Sequence, residues 1–202
     1  MRRLSCIHPG AWLLVILVAT ACYSAPPPKK PLEVVRTDTS PDFAGLREEL
    51  VDIVVLPARP PQGEPSAAGP HLQRFRRLVY QGLLDKGYSP LELGYVDKQV
   101  LGDARGDPFD PDDNLGRFEE DAVLALSLNQ WDRRFLREEG GILVSATLSL
   151  IRSKPKAKLW MHEIRHRLYK VPSGRTEVSL TPDELVVDEL VRDLLQKLPP
   201  RA

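Results

Sequence analysis

Leu159-Trp160-Met161-His162-Glu163-Ile164-Arg165-His166-Arg167-Leu168 is the stretch on which the reading of this chain turns. Trp160, Ile164 and Leu168 recur every four residues, a spacing that suits one face of a helix and one face of a strand alike. On a helix, His162 and His166 stand one turn apart in the order H-E-x-x-H. In that order two imidazoles hold Zn²⁺ and the intervening Glu163 acts as general base. Glu184 follows 18 residues after His166, about where a third ligand sits on a second helix. On a strand, the two histidines would share a face but lie roughly 13 Å apart at about 3.3 Å per residue. That is too far for an ion whose ligand bonds are about 2.1 Å. Arg165 also sets a cation between them. A helix here means a zinc metalloprotease with ligands His162, His166 and Glu184; a strand means a sheet with incidental histidines.

The flanking segments alternate strand and helix patterns. Val51 to Leu56 is rich in β-branched residues and bounded by Pro57, which suits a buried strand. Residues 58–70 carry four prolines and two glycines and read as a loop. Leu72, Phe75, Leu78, Val79 and Leu83 then fall at helical spacing across His71 to Lys86, with Gly87 as the stop signal. Leu91 to Val96 is read as a second strand, 102–114 as a loop, and Leu115 to Glu120 as a short helix. Ala122 to Leu128 and Ile142 to Ile151 are further strands. Thr181-Pro182-Asp183-Glu184 has the form of a capping box, with proline at the first helical position. Val187, Leu190, Val191, Leu194 and Leu198 continue the stripe of a C-terminal amphipathic helix, ended by Pro199-Pro200. The expected class is α/β (α+β): a single mixed sheet flanked by helices.

The N-terminus carries an address. Arg2 and Arg3 precede the apolar run Ala11 to Ala21, and the small residues Ala19-Thr20-Ala21 precede Cys22. The run of 11 residues is short of the roughly 20 that span hydrocarbon. Residues 1–21 are therefore read as a lipoprotein signal peptide and Cys22 as the lipidation site, with ordinary secretory cleavage at the same bond as the competing reading. Cys6 leaves with the signal, so the mature chain keeps no free thiol for a disulfide or a metal. Pro26 to Pro28 make 22–41 a semi-extended tether, and 42–202 is expected to be one periplasmic domain. The 28 basic and 28 acidic residues lose Arg2 and Arg3 on cleavage, so 26 − 28 leaves a mature charge of −2. Such a balance gives no reason to expect nucleic acid as a partner.

Val54-Val55-Leu56-Pro57, Gly87-Tyr88, Tyr95-Val96-Asp97, Asp121-Ala122-Val123-Leu124 and Leu159-Trp160 follow one another in the order seen in a family of bacterial lipoproteins. That family is typified by a meningococcal surface lipoprotein of unknown function, and the chain resembles it over roughly residues 50 to 170. Its fold is similar to that of the penicillin-binding-protein activator LpoB and of the periplasmic domain of the curli secretion lipoprotein CsgG. The family's Asp and Thr-Gly turn before Leu-Trp is replaced here by Arg152-Ser153-Lys154-Pro155-Lys156-Ala157-Lys158. The resemblance implies a strand at Leu159-Trp160 and supplies no catalytic residues.

Other motifs have bland readings beside the sharp ones. Asp110 to Asp121 partly imitates a calcium loop, but Leu115 stands where glycine is needed and Asp121 where a bidentate glutamate is needed. A solvated acidic loop with Asp112 or Asp113 capping a helix is the simpler reading. Arg74, Arg76 and Arg77 could meet anionic lipid or glycan, yet such a run more often forms the wet face of a helix. The expectation is thus a non-catalytic, membrane-anchored periplasmic lipoprotein that serves as a binding or accessory subunit in cell-envelope assembly. It needs no cofactor, meets the membrane through its N-terminal lipid and an envelope protein as partner, and allows a homo-oligomer. Tyr23 in place of Asp after the lipidated cysteine favours the outer membrane. Besides the protease, the remaining alternative is a CsgG-like secretion pore subunit, which needs hairpins with about 10 alternating residues per strand; only Ile142 to Ile151 approaches that.

Overall fold

The computed structural model describes residues 31–63, 69–102, 106–172 and 180–201. The signal peptide, Cys22 and the start of the tether lie outside them. Six strands form one sheet in the order β1-β6-β5-β4-β2-β3: β1 Val34–Thr39, β2 Asp52–Val55, β3 Ser89–Pro90, β4 Ala122–Asp132, β5 Gly141–Arg152 and β6 Ala157–Lys170. β4, β5 and β6 are an antiparallel meander, and β1 adds antiparallel to β6. β2 runs parallel to both β3 and β4. The helices are α1 Phe43–Leu46, α2 Pro70–Asp85, α3 Leu93–Val100, α4 Pro111–Asn114, α5 Phe135–Glu138 and α6 Pro182–Gln196.

Parallel connections place the helices. From β2 the chain moves to β3 on one flank, then back across β2 to β4 on the other. Two right-handed crossovers in opposite directions must put α2 and α3 on opposite faces of the sheet. The pleat matches: Ile53 and Val55 join Leu72, Phe75, Val79 and Leu83 of α2, whereas Val54, Leu56 and Val123 join Val96 and Val100 of α3. α6 lies beside α2 over β5 and β6, burying Val186, Val187, Leu190, Val191, Leu194 and Leu195. A Cβ on Gly82 would come within 2.2 Å of Leu195 Cδ1, so glycine sets how closely α2 and α6 approach. The Thr181 capping box forms as expected. Arg74 grips Asp188 through two bonds of 2.7 and 2.8 Å, with Glu184 at 3.8 Å.

Several expectations are corrected. The sheet begins at Val34, inside the segment expected to be tether, because β1 pairs with β6 from Val34↔Arg165 to Thr39↔Trp160. Leu91 to Val96 is not a strand. The Glu92 carboxylate accepts the backbone N–H groups of Gly94 and Tyr95 at 2.8 and 2.6 Å and starts α3 there. The short helix expected at Leu115 to Glu120 lies earlier, as α4, with Pro111 at its first position and Asp110 as its cap, accepting from Asp112 N at 2.8 Å. Arg76 is not on a wet face; it is 7% exposed and sits between Leu72, Phe75 and Val79 of the buried stripe. Its Nε and Nη2 donate to Val55 O at 3.1 and 2.8 Å, and Nη1 pairs with Asp97 of α3.

Candidate functional site

The quoted stretch is strand β6, paired along its length with β5. Its register shifts twice, at Leu150/Ile151 and, between the two histidines, where Val144 faces Arg167 and Ala146 faces Ile164, so Ser145 stands opposite both Arg165 and His166. That bulge adds one residue and reverses the alternation beyond it. His166 takes a left-handed backbone, φ +55°, which non-glycine residues adopt rarely and which marks the bulge. His162 therefore faces α6 and His166 faces the other side. The expectation that a strand would put both on one face is overturned by this single extra residue.

His162 is 1% exposed, its ring 6.1 Å from that of Trp160, and its Nδ1 lies 2.7 Å from Thr37 Oγ1. Burial holds its pKa below the usual histidine value, and the cations Lys197 and Arg167 push it the same way. Glu163 pairs with Arg165 at 2.7 Å on the opposite face. Glu184 is occupied by its cap: hydrogen bonds from the Thr181 backbone and hydroxyl keep its carboxyl below the usual range. Two imidazoles on opposite faces of one sheet do not share an ion. Among the described residues, no three His, Cys, Asp or Glu side chains converge as a metal site. The acidic loop is likewise turned inward. Asp107 Oδ1 accepts from Phe109 N at 2.9 Å and Asp113 Oδ2 from Asp107 N at 2.8 Å, while fully buried Asn114 ties Asp107 O to Asp110 O.

What the bulge builds lies on the sheet face away from α2 and α6. There β4 has its own irregularity between Leu128 and Gln130, leaving Asn129 as the extra residue beside Ser145. The two bulges meet across β5 in a small network. Ser145 Oγ accepts from His166 N at 2.9 Å and donates to Gln130 Oε1 at 3.1 Å; His166 Nδ1 is 3.0 Å from the same oxygen. An amide oxygen only accepts, so Nδ1 carries a proton toward it. Asn129 donates through Nδ2 to Thr147 Oγ1 at 3.0 Å.

Three hollows meet at Asn129. One, of about 410 Å³, is lined by Gln130, Ser145, Glu163, Arg165 and His166; a second, of about 380 Å³, by Gln62, Gln130, Trp131 and Arg134; a third, of about 350 Å³, by Arg59, Gln62 and Phe109. Arg59 pairs with Asp107 at 2.8 Å and stacks over Phe109 at 5.7 Å. This groove sits at the carboxyl ends of the parallel strands β2 and β4, the usual place for ligands on open α/β sheets. Neither Gln130 nor Ser145 was singled out by sequence. The signal that could have found them is the polar run Asn129-Gln130 closing an apolar strand.

The architecture defines an α+β class: one mixed sheet with helices on both faces at its parallel end. The described chain shares that fold with solved proteins. A PelC dodecamer from Paraburkholderia phytofirmans, carrying a leucine-to-methionine substitution, matches 84% of this chain and 100% of its own at a TM-score of 0.53 and 16% identity. The lipoprotein GNA1162 from Neisseria meningitidis matches 73% of this chain and 97% of its own at a TM-score of 0.51 and 16% identity. The meningococcal lipoprotein fold suggested by the motif order is thus among them, and the likeness is one of fold. No protein-family model matches the sequence, and no curated protein matches it significantly.

Proposed function

We propose that this chain is a lipoprotein of the bacterial envelope, acylated at Cys22, with a non-catalytic domain that serves as a binding or accessory subunit in envelope assembly. The observation that carries the reading is the run Ala19-Thr20-Ala21-Cys22 behind a short apolar segment. A fold shared with a meningococcal lipoprotein supports it. The outer membrane, with the domain facing the periplasm, is the favoured place because Tyr23 follows the acylated cysteine. Self-association belongs to the same proposal: the fold also occurs in the PelC dodecamer, and β1 presents an edge strand exposed along most of its length. The non-catalytic reading rests on the division of His162 from His166 and on the internal bonds of Glu184.

Radiolabelled palmitate decides the anchor. Wild type should incorporate label and Cys22→Ser should not; equal labelling of the two would overturn it. Cross-linking of detergent-extracted wild type should give multimers, and a monomer only would remove self-association from the proposal.

A further inference from the structure

We propose that the groove around Asn129 is a binding site for a neutral glycan strand. The inference names a ligand for the binding subunit proposed above and rests on that reading for its biological setting, though not for its chemistry.

The groove's charges cancel. Arg59 is paired with Asp107 at 2.8 Å, Arg165 with Glu163 at 2.7 Å and Arg134 with Asp132 at 2.6 Å. An anionic ligand would need cations without partners, and these three have theirs. What remains is a set of neutral donors and acceptors side by side. Gln130 Oε1 is taken by Ser145 and His166, which leaves its amide hydrogens to give. Asn129 gives a hydrogen to Thr147, which leaves its carbonyl oxygen to accept. The His166 ring lines the first hollow, and Gln62 lines the other two. Sugar hydroxyls, each donor and acceptor at once, match such an alternation. Phe109, in contact with Arg59, adds apolar lining to the third hollow.

Shape argues for several sugar units. The three hollows, about 410, 380 and 350 Å³, share Asn129, so the site is stepped and elongated rather than a single cup. A peptide strand fits less well. At Ser145 the groove floor is β5, paired with β4 on one side and β6 on the other, so a peptide finds no open ladder there. The strain at His166 supports a built site, since a non-glycine residue held at φ +55° is the price of aiming that ring beside Gln130.

The test is calorimetric titration of the full chain, extracted in detergent, with chitohexaose, cellohexaose and maltohexaose as neutral probes. A hexagalacturonate and an uncharged hexapeptide serve as comparators. At least one neutral hexasaccharide should bind, and Gln130→Ala should weaken it about tenfold, the loss of roughly one hydrogen bond. Gln62→Ala should weaken it similarly; Gln62 lies in an exposed turn, so its loss leaves the fold intact. Glu189→Ala, exposed on α6, should bind as wild type does. No binding of any neutral probe, binding of only the anionic or peptide probe, or unchanged affinity in both glutamine variants would each overturn the proposal. Absence of label at Cys22 would leave this titration untouched, so the two readings fail separately.

Discussion

Arg76 offers the sharpest test of how this fold is held together. The carbonyls of Val51, Ile53 and Val55 point toward β3; Ser89 N takes the first at 3.2 Å and Leu91 N the second at 2.9 Å. The next donor along a longer β3 would be residue 93, but the chain has already turned into α3. Arg76 reaches across from α2 and gives Val55 O two hydrogen bonds in its place. Burial lowers its pKa, against the opposing pull of Asp97, without discharging a guanidinium. Arg76→Met keeps most of the stem's packing and removes the donors. An orphaned buried carbonyl costs about 1–3 kcal/mol, so about 2 kcal/mol is expected. Arg76→Ala removes in addition the Cγ and Cδ methylenes at roughly 0.8 kcal/mol each, giving about 3.5 kcal/mol. The Asp97 side chain is 39% exposed and regains water when its partner leaves. Arg76→Met therefore strands no buried charge, whereas Asp97→Ala leaves the buried Arg76 guanidinium without its carboxylate and should cost about 3 kcal/mol. Urea unfolding followed by circular dichroism measures all three. An Arg76→Met variant within about 0.5 kcal/mol of wild type would refute the reasoning, because a free carbonyl in that position would then cost nothing.

The remaining predictions concern β6 and α6. His162 has a pKa below its unfolded value, so folding excludes its proton: stability is full above about pH 6.5 and falls as pH drops below it. His162→Gln should flatten that part of the stability profile, and an unchanged slope from wild type would show that another group drives it. Leu194→Ala should cost about 2–5 kcal/mol, since Leu194 is fully buried; a loss under about 1 kcal/mol would contradict its place in the core. At the bulge, His166→Gly should change stability by less than about 1 kcal/mol, whereas His166→Val should cost more than that, because a β-branched residue resists positive φ. Equal effects of the two would mean the left-handed backbone is not what those residues feel.

Long, regular elements were legible in the sequence because burial imposes a period on them. The stripes of α2 and α6 and the apolar runs of β4 and β5 were found near their observed places. The misses have local causes. α3 starts on a glutamate, a residue that seldom caps, and its Leu91, Leu93 and Tyr95 imitate alternation. β1 hid because an edge strand with one partner has no need of a continuous apolar face, and Val34-Val35-Arg36-Thr37-Asp38-Thr39 follows a proline-rich run. Arg76 could have been caught: it lies four residues after Leu72 and three before Val79, in the middle of the stripe. The bulge at His166 could not. No glycine announces it, and the shift is set by how β6 must meet Ser145. Since the candidate groove depends on that shift, the site was less legible than the fold.

The pairing of β1 with β6 also sets a distance. Under the proposed acylation, the leash from the lipid to the body of the protein is the chain between Cys22 and Val34, eleven residues (33 − 22) rather than the nineteen (41 − 22) that a domain starting at Asp42 would allow. Fully extended at about 3.5 Å each, eleven residues reach about 40 Å, against about 65 Å for nineteen. Under that anchor it is Val34, the first residue of the sheet, that the shorter length ties to the bilayer surface.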